Sequence, residues 1–383
     1  MTAPALERPT TQPGARFTAA AQEIVPLLKR EARAIEESRE LTPAVLSALH
    51  ERGLLQAILS PARGEGDFTI TDAMNVLETL ATGDASTAWD TMAAMGGGII
   101  SAFLPRDPFT SPTDCAATAV GRLGKATAVE GGYLVDAKWP FLSGSPHATW
   151  IGGLCMVHDG EQPRFISEGQ PHVIMPFIRK ERVQLLGNWD ATGLKGTSSQ
   201  EAEVHGVFVP FEQVADLMNG PRPGLPLLYS VHEDAVAPLV AAAVLVGVGR
   251  AAIDEFRALQ ANRMHQSGVL GSAAPLPQVA LAECEGKLEL ARAGIYAVAR
   301  AIDEKHESGQ PAGPEDSPRT SLAATASAEL VIEVVSKLYR AAGSSAVFTG
   351  SVLDRTLRDA FTLGAHRMLQ RENYLVHGAG LFA

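Results

Sequence analysis

The chain has 383 residues, 46% of them hydrophobic, which is enough for two or three packed units in one enzyme-sized body. Its formal net charge of -11 comes without any block of Lys and Arg, which argues against nucleic acid or an anionic membrane as a partner. Cys115, Cys155 and Cys284 are too few and too scattered for a disulfide framework or a thiolate metal site.

No apolar run is expected to cross a bilayer uninterrupted, since even the segment 235–249 is short and rich in Ala and Gly. Residues 1–16 lack the apolar core of a secretion signal and are expected to form a flexible polar tail. These features predict a cytoplasmic protein.

The segment 17–114 carries apolar residues at three- and four-residue spacing, which predicts an N-terminal helical domain. Thr42-Pro43 starts a fresh helix within it, and the breaker-rich segment 105–114 ends the unit. From 115 to 220 the period changes to two, which predicts a middle β domain, a small antiparallel barrel or sandwich. Gly131-Gly132 marks a two-residue hairpin in this domain.

The segment 221–383 returns to helical periodicity and predicts a C-terminal four-helix bundle. Apolar residues from Leu281 to Ile302 alternate in steps of three and four, as in the seam of an antiparallel bundle. Ser317-Pro318 starts the next helix and Gly343 is expected to stop it. The predicted fold class is therefore α+β, mainly α: helices, then a β unit, then a helical bundle.

The last predicted helix begins at Ser351, whose hydroxyl is expected to cap it together with the carboxylate of Asp354. At about 100° per residue, Arg355, Asp359 and His366 fall on one stripe of this helix. In an isolated helix this pattern indicates a surface ion pair and a half-buried histidine more often than a functional site.

The letters GVGRAA at 247–252 match a dinucleotide-binding fingerprint, but no β-branched strand precedes them and no acid follows at ribose-binding distance. We interpret them as small residues for close helix packing. The sequence has no HExxH, paired CxxC, Walker or GxSxG motif, and its ten histidines do not group at metal-ligand spacing. Hydrolase, kinase and metal-dependent functions therefore lack their usual signals.

Two segments of the β domain combine aromatic rings with hydroxyl groups. The first is WPFLSGSPH at 139–147, and the second includes LGNWD and GLKGTSS between 186 and 199. Each alone is more often an ordinary turn. Together they predict a flat, aromatic-lined slot with hydroxyl donors, which suits a planar heterocycle with a phosphate tail.

Four segments, in this order along the chain, resemble the acyl-CoA dehydrogenase superfamily: GDASTAW (83–89), WPFLSGSPHATW (139–150), GNWDATGLKGTSS (187–199) and LDRTLRDAFTLGAH (353–366). The resemblance extends from about Phe17 to the C-terminus. More narrowly, the segments resemble the two-component flavin-dependent monooxygenases built on that fold. This branch includes the oxygenase components of 4-hydroxyphenylacetate hydroxylases and dibenzothiophene monooxygenase.

One departure separates the branches. Where many dehydrogenases carry a catalytic glutamate shortly after the Arg-Asp pair of the last helix, this chain has Ala365-His366-Arg367. The RxxFG motif of the dehydrogenases is also missing, since MHQSGVLGS follows Arg263. Because other dehydrogenases carry the base on an earlier helix, an acyl-CoA dehydrogenase-type flavoenzyme stays the alternative, and a non-catalytic relative is a third possibility.

The resemblance implies that a separate NAD(P)H-flavin reductase supplies reduced flavin, FMNH2 or FADH2. The flavin then reacts with O2 to form a C4a-(hydro)peroxyflavin. That adduct would oxygenate a small organic substrate, aromatic or heteroatom-containing, without a metal. It needs a water-poor pocket with well-placed hydrogen-bond donors. Since the parent fold is typically a tetramer, the resemblance also implies a homotetramer.

By the same resemblance, Ser143 would donate a hydrogen bond to the flavin near N5. His366 would lie beside the isoalloxazine and the substrate, as a proton-transfer group or as a group that holds the hydroperoxide. Arg355 and Asp359 would fix the last helix against the β domain. The residues implied for flavin binding are Trp139, Phe141, Ser143, Trp189, Thr197, Ser198, Ser199 and Arg263. The residues implied on the substrate side are Trp89, His147 and His366.

Overall fold

A computed structural model describes residues 13–58, 68–264 and 268–382, so most of the tail predicted for 1–16 lies outside the described residues. Four helices precede the strands: α1 (Pro13–Ser38), α2 (Pro43–Glu51), α3 (Ile70–Ala81) and α4 (Ala85–Ser101). The strands are β1 (Ala116–Val129), β2 (Gly132–Leu142), β3 (Trp150–Asp159), β4 (Gln162–Pro163), β5 (Phe165–Ser167), β6 (Gln170–Pro171), β7 (Val173–Arg179), β8 (Gln184–Leu185), β9 (Gln200–Pro210) and β10 (Val214–Asp216). The later helices are α5 (Glu233–Asn262), α6 (Pro275–Glu307), α7 (Ser317–Ala342), α8 (Val352–Gly364) and α9 (Asn373–Gly380). The fold is mainly α, with helical regions on both sides of a sheet domain.

Helix α4 connects the N-terminal helices to the sheet. It begins at Asp84, whose carboxylate accepts hydrogen bonds from the backbone N–H and the hydroxyl of Thr87, so free donors of the first turn are satisfied. Gly97 lets the helix approach β1, because a Cβ at this position would lie 2.8 Å from the carbonyl oxygen of Ala116. This close contact places the buried Trp89 of α4 between the helical and strand domains.

The β domain is built on an eight-stranded sheet with the order β10-β7-β3-β1-β2-β9-β8, with β4 paired to β3 and a separate hairpin of β5 and β6. The hairpin predicted around Gly131 and Gly132 is confirmed, because β1 and β2 pair antiparallel across it. The prediction of a purely antiparallel domain is wrong for one pair, since β3 runs parallel to β1. The chain reverses after β2 and lies beside β1 rather than beside β2, which makes the new pair parallel. The segment 143–149 is therefore a crossover loop.

The helical bundle packs around α5. The seam predicted from Leu281 to Ile302 lies in α6, where Cys284, Leu288 and Ile295 are fully buried or nearly so. The packing interpretation of GVGRAA at 247–252 is also confirmed, because this segment lies inside α5. A Cβ at Gly247 would lie 2.3 Å from the carbonyl oxygen of Glu78 in α3.

Helix α5 is long and apolar enough, by length and composition, to cross a membrane, contrary to the expectation from its short Ala- and Gly-rich segment. In the structure, 83% of its most apolar window is buried. A helix that is apolar all round is buried in the core of a large protein or in a membrane, and here its neighbours in the bundle cover it.

Helix α7 agrees with the sequence prediction, since it runs from Ser317 to Ala342 and stops at Gly343. The last predicted helix is shorter than expected, because α8 ends at Gly364. Ser351 precedes α8, but its side chain makes no capping hydrogen bond. His366 therefore lies in a turn beyond α8 rather than on a stripe of that helix.

Candidate active site

A buried hydrogen-bond network joins α4 to two loops of the β domain. The indole Nε1 of Trp89 donates to Ser143 Oγ at 3.0 Å. Ser143 Oγ lies 2.7 Å from Ser199 Oγ, and Ser199 Oγ lies 2.6 Å from Thr197 Oγ1. Thr197 Oγ1 in turn donates to the carbonyl oxygen of Leu194 at 2.9 Å. The network thus connects the crossover loop 143–149 with the loop that precedes β9.

The two ends of this network fix the direction of each hydrogen bond within it. An indole N–H can only donate and a carbonyl oxygen can only accept, while each hydroxyl has one proton. Because Thr197 gives its proton to Leu194, Ser199 must donate to Thr197 and Ser143 must donate to Ser199. Ser143 then has no free proton and one free lone pair. In this network Ser143 offers an acceptor towards a ligand, rather than the donor implied by the resemblance.

The turn after α8 brings His366 to the same indole. The rings of Trp89 and His366 meet edge to face, with their centroids 5.1 Å apart and an interplanar angle of 69°. The backbone N–H of Met368 donates to His366 Nδ1 at 3.4 Å, which assigns the proton of the neutral ring to Nε2. Burial, with the nearby Arg367, lowers the pKa of His366 to about 4, so the ring is neutral at pH 7.

Asp359 and Arg358 hold α8 against the β domain. Asp359 Oδ1 accepts a hydrogen bond from the backbone N–H of Leu194 at 2.7 Å, in agreement with the expected role of Asp359. Arg358, rather than the expected Arg355, makes the second link, since it donates to the carbonyl oxygen of Thr192 at 2.9 Å. Arg358 also pairs with Glu36 of α1. These contacts fix the distance between the His366 turn and the loop that carries Thr197 and Ser199.

Asp359 gives the protein a pH-dependent stability. Burial raises its pKa to about 7 from the ordinary 3.8, against the hydrogen bond from Leu194, which lowers it. The folded state therefore binds this proton more tightly than the unfolded chain. The stability contributed by this group is fully present below about pH 4 and is lost as the pH rises through about 7.

Asp359→Asn is expected to remove that loss, because the amide does not titrate and its oxygen can still accept from Leu194. Urea unfolding at pH 5 and pH 8 measures the effect. The unfolding free energy of the variant minus that of wild type should be larger at pH 8 than at pH 5. An equal difference in unfolding free energy at the two pH values would contradict this assignment.

Strained backbone is concentrated around the network. Among the described residues, the non-glycine residues with positive φ are Arg39 (62°), Phe141 (58°), Leu194 (50°) and Ser198 (44°). Phe141, Leu194 and Ser198 belong to the two segments of the β domain that carry the hydroxyl network. The fourth residue, Arg39, donates to the carbonyl oxygen of Trp189 at 3.1 Å. A left-handed conformation costs a residue with a side chain roughly 1–2 kcal/mol, and such strain concentrates at functional sites.

Two aromatic rings lie beside the hydroxyl network. The pairing of β2 with β9 is irregular between Trp139 and Leu142, and this bulge turns Phe141 outward, where its side chain is 69% exposed. The rings of Phe141 and Trp189 meet edge to face with centroids 6.3 Å apart. Trp189 Nε1 donates to the carbonyl oxygen of Leu194 at 3.0 Å, which ties this ring to the loop of the network.

The structure places other implied flavin residues away from the network. Trp139 is fully buried in the β domain, with Nε1 bonded to the carbonyl oxygen of Leu154 at 3.1 Å. Its ring occupies the space that a side chain at Gly153 would fill. Arg263 donates to the carbonyl oxygen of Ala342 at 2.8 Å, and no contact described for it reaches the two loops. Flavin binding by Trp139 and Arg263 stays a prediction.

Sequence reasoning missed Asp90, which follows Trp89 in α4 and is only 2% exposed. Within the described part of the chain, its side chain has no hydrogen-bond partner, and Oδ1 is wholly enclosed. Burial, with Asp84 nearby, holds the pKa of Asp90 well above its usual range. The composition of α4 could have pointed to this residue, because Asp90 is the one charged residue in the sequence of that helix.

The site can bind a planar, partly apolar ring that carries both donors and acceptors. Ser143 offers an acceptor, His366 offers the Nε2–H donor, and Phe141 offers an exposed apolar face. A reduced flavin has these properties, since its ring has N–H donors and carbonyl acceptors, so the residues present fit that group. In residues 13–58, 68–264 and 268–382, no group of three His, Cys, Asp or Glu side chains is placed to hold a metal ion.

Known proteins resemble this chain in sequence and in fold. A family model described as acyl-CoA dehydrogenase, C-terminal domain, matches residues 239–371. The oxygenase subunit HsaA of a flavin-dependent monooxygenase from Rhodococcus jostii is 25% identical over 385 residues, covering 94% of this chain and 96% of that protein. The oxygenase component of p-hydroxyphenylacetate 3-hydroxylase from Acinetobacter baumannii is 25% identical over 361 residues, covering 90% of this chain and 83% of that protein.

Solved structures show the same fold. XiaF from Streptomyces sp., solved with FADH2 and glycerol, superposes with a TM-score of 0.86 at 20% identity, covering 96% of this chain and 95% of XiaF. The chain therefore has the acyl-CoA dehydrogenase fold and, along nearly its whole length, resembles the oxygenase components of two-component flavin-dependent monooxygenases.

Proposed function

We propose that this chain is the oxygenase component of a two-component flavin-dependent monooxygenase that oxygenates a small aromatic or heteroatom-containing substrate. A separate NAD(P)H-flavin reductase supplies FMNH2 or FADH2. When bound, the reduced flavin provides the electrons with which O2 is activated for transfer of one oxygen atom. The observation that carries the proposal is the position of Trp89. Its indole Nε1 donates a hydrogen bond to Ser143, and its ring packs edge to face against His366.

The chain's own residues have distinct tasks in this proposal. Ser143, whose proton is directed to Ser199, accepts a hydrogen bond from an N–H donor of the bound ring. His366 keeps its proton on Nε2 and donates it as a hydrogen bond towards the reacting oxygen. The buried indole of Trp89 excludes water from its contacts with Ser143 and His366, which strengthens the hydrogen bonds there.

The acceptor role of Ser143 also favours a reduced over an oxidised flavin. A reduced flavin carries a proton on N5, whereas the oxidised ring has only a lone pair there. An acceptor facing that nitrogen would bind the first form and repel the second. The direction of the hydroxyl network thus gives a physical reason for a chain that receives its flavin already reduced.

Oxygen incorporation tests the proposed function. The purified chain would be mixed with reduced flavin, 18O2 and a panel of phenols, thioethers and amines, and the products analysed by mass spectrometry. One 18O atom in a product supports the proposal. The dehydrogenase alternative instead expects bound FAD that is bleached anaerobically by an acyl-CoA. Bleaching without 18O incorporation into any product would overturn the monooxygenase assignment.

Ser143→Ala is expected to weaken reduced-flavin binding about fivefold to tenfold, because one hydrogen bond of about 1 kcal/mol is lost and the Trp89 N–H loses its partner. Binding to oxidised flavin should not weaken, because the variant lacks the acceptor that repels the lone pair on N5. Anaerobic titration measures both affinities. Ser167→Ala, which removes an exposed hydroxyl bonded to Gln170, is the matched control. Equal affinities of Ser143→Ala and wild type for the reduced flavin would contradict the acceptor role.

We infer that the protein works as a homotetramer. Support comes from large apolar side chains that stay exposed on the bundle, since Leu276 is 83%, Leu290 69% and Phe348 69% exposed. Light scattering should give four times the chain mass of 40.4 kDa. A cytoplasmic location belongs to the same proposal, since the three cysteines are buried free thiols, which suit a reducing compartment.

A further inference from the structure

The crossover loop has a second polar face, on the side of Gly144. A Cβ built on Gly144 would lie 3.0 Å from His147 Nε2 and 3.6 Å from the carboxyl carbon of Asp90. The imidazole and the carboxyl group therefore border the same space beside the Gly144 α-carbon. Gly144 has φ +74°, a conformation that glycine adopts without strain, and a side chain here would press against the His147 ring.

Both side chains at this space lack internal partners. Within the described residues, neither the carboxyl of Asp90 nor the ring of His147 has a hydrogen-bond partner, and Asp90 Oδ1 is wholly enclosed. A buried polar group without a partner is costly, and native proteins satisfy such groups with water, an ion or a ligand. By contrast, Asp84 on the same helix is satisfied by Thr87.

The position of this pair ties it to the active site. Asp90 directly follows Trp89, whose indole contacts both Ser143 and His366. Gly144 directly follows Ser143, and its backbone N–H donates to the carbonyl oxygen of Thr197 at 2.9 Å. Asp90 is therefore one residue, and His147 four residues, along the chain from the hydrogen bond that links α4 to the loop.

The charge state of the pair selects the kind of group that fits. Burial, with His50 and Lys180 nearby, lowers the pKa of His147 to about 4. Burial also keeps the pKa of Asp90 well above its usual range. A neutral carboxyl donates through its O–H and accepts through its carbonyl oxygen, and a neutral imidazole has one donor and one acceptor. A small neutral group that both donates and accepts fits such a pair, and a substrate hydroxyl or a water molecule has this property.

We propose that Asp90 and His147 form a hydrogen-bonding subsite that receives a neutral hydroxyl group of the substrate on the Gly144 side of the crossover loop. The proposal rests on the proposed function, since it assigns the substrate a hydroxyl that points away from His366. Asp90 acts here as a substrate-binding residue. A purely structural role would instead require the buried carboxyl to stabilise the fold.

Binding of matched probes tests the subsite without turnover. 2-Naphthol and 2-methylnaphthalene differ by a hydroxyl in place of a methyl group of similar size. Equilibrium dialysis would measure both affinities anaerobically, with and without reduced FMN. Wild type is expected to prefer the naphthol by about tenfold or more, because a site built for a hydroxyl leaves its polar groups unpaired with the analogue. Asp90→Leu should bring the ratio close to one, whereas Asp90→Asn should keep most of it.

Unfolding separates the subsite from a structural role. Asp90→Leu should fold with unchanged or higher stability, since it replaces an unpartnered buried carboxyl by an apolar group of similar shape. Any of three results would overturn the proposal. Asp90→Leu could keep the preference for the naphthol, wild type could bind the two probes equally, or wild type could bind neither probe. Each result is independent of 18O incorporation, so a failed subsite and a failed monooxygenase assignment remain distinguishable.

Discussion

Gly193→Ala is expected to destabilise the protein and abolish tight flavin binding together. A Cβ at this position would lie 2.2 Å from the carbonyl oxygen of Arg358 and 2.7 Å from the backbone nitrogen of Asp359. Both atoms belong to the backbone of α8, which cannot move aside as a flexible side chain would. The loop must therefore separate from α8, and the 2.7 Å hydrogen bond from Leu194 to Asp359 is lost.

The expected loss in unfolding free energy is about 1–3 kcal/mol from overpacking alone, and more when the hydrogen bond breaks. Urea unfolding and anaerobic flavin titration measure the two effects. Gly286→Ala is the matched control, because a Cβ there meets open space on helix α6 and should stabilise the helix by up to about 1 kcal/mol. A Gly193→Ala variant with wild-type stability and flavin affinity would refute the close contact between the loop and α8.

His366→Ala is expected to uncouple flavin oxidation from substrate oxygenation. Loss of the Nε2–H donor removes a hydrogen bond to the reacting oxygen, and loss of the ring exposes the Trp89 face to water. Product formed per flavin oxidised should fall about tenfold to a hundredfold, with hydrogen peroxide accounting for the difference. The rate at which reduced flavin is oxidised should change far less than the product yield.

His366→Gln separates the donor from the ring. The glutamine amide can place an N–H near the position of Nε2, so it should recover part of the product yield that His366→Ala loses. Because the pKa of His366 is about 4, coupling in wild type should not change between pH 6 and pH 8 through this group. Full coupling in His366→Ala would remove His366 from the reaction.

The order and type of the main elements could be predicted from the sequence because the signals are local. The α6 seam, the Thr42-Pro43 start and the Gly131-Gly132 hairpin each depend on residues within a few positions. The parallel pairing of β1 with β3 could not be predicted, because it depends on which edge of β1 the returning strand meets. The end of α8 at Gly364 was also missed, since helix-forming residues continue beyond it.

The candidate site could be predicted only in part. Ser143, Trp89 and His366 were named from a resemblance, and the structure brings these three together. The direction of the hydroxyl network depends on a carbonyl, that of Leu194, which sequence does not reveal. The positive φ angles of Phe141 and Ser198 follow from the packing of the loops and not from residue type. Asp90 was overlooked because a lone acid in an apolar helix has no motif.

Hydrogen exchange of backbone amides, measured anaerobically with and without reduced FMN, tests the central claim most directly. Three segments that are far apart in sequence, 141–147, 192–199 and 363–369, surround the contacts of Trp89, and bound flavin should slow exchange in all three. Protection should be smaller in Gly193→Ala. Protection confined to other segments, or none at saturating reduced flavin, would contradict the placement of the flavin between Ser143 and His366.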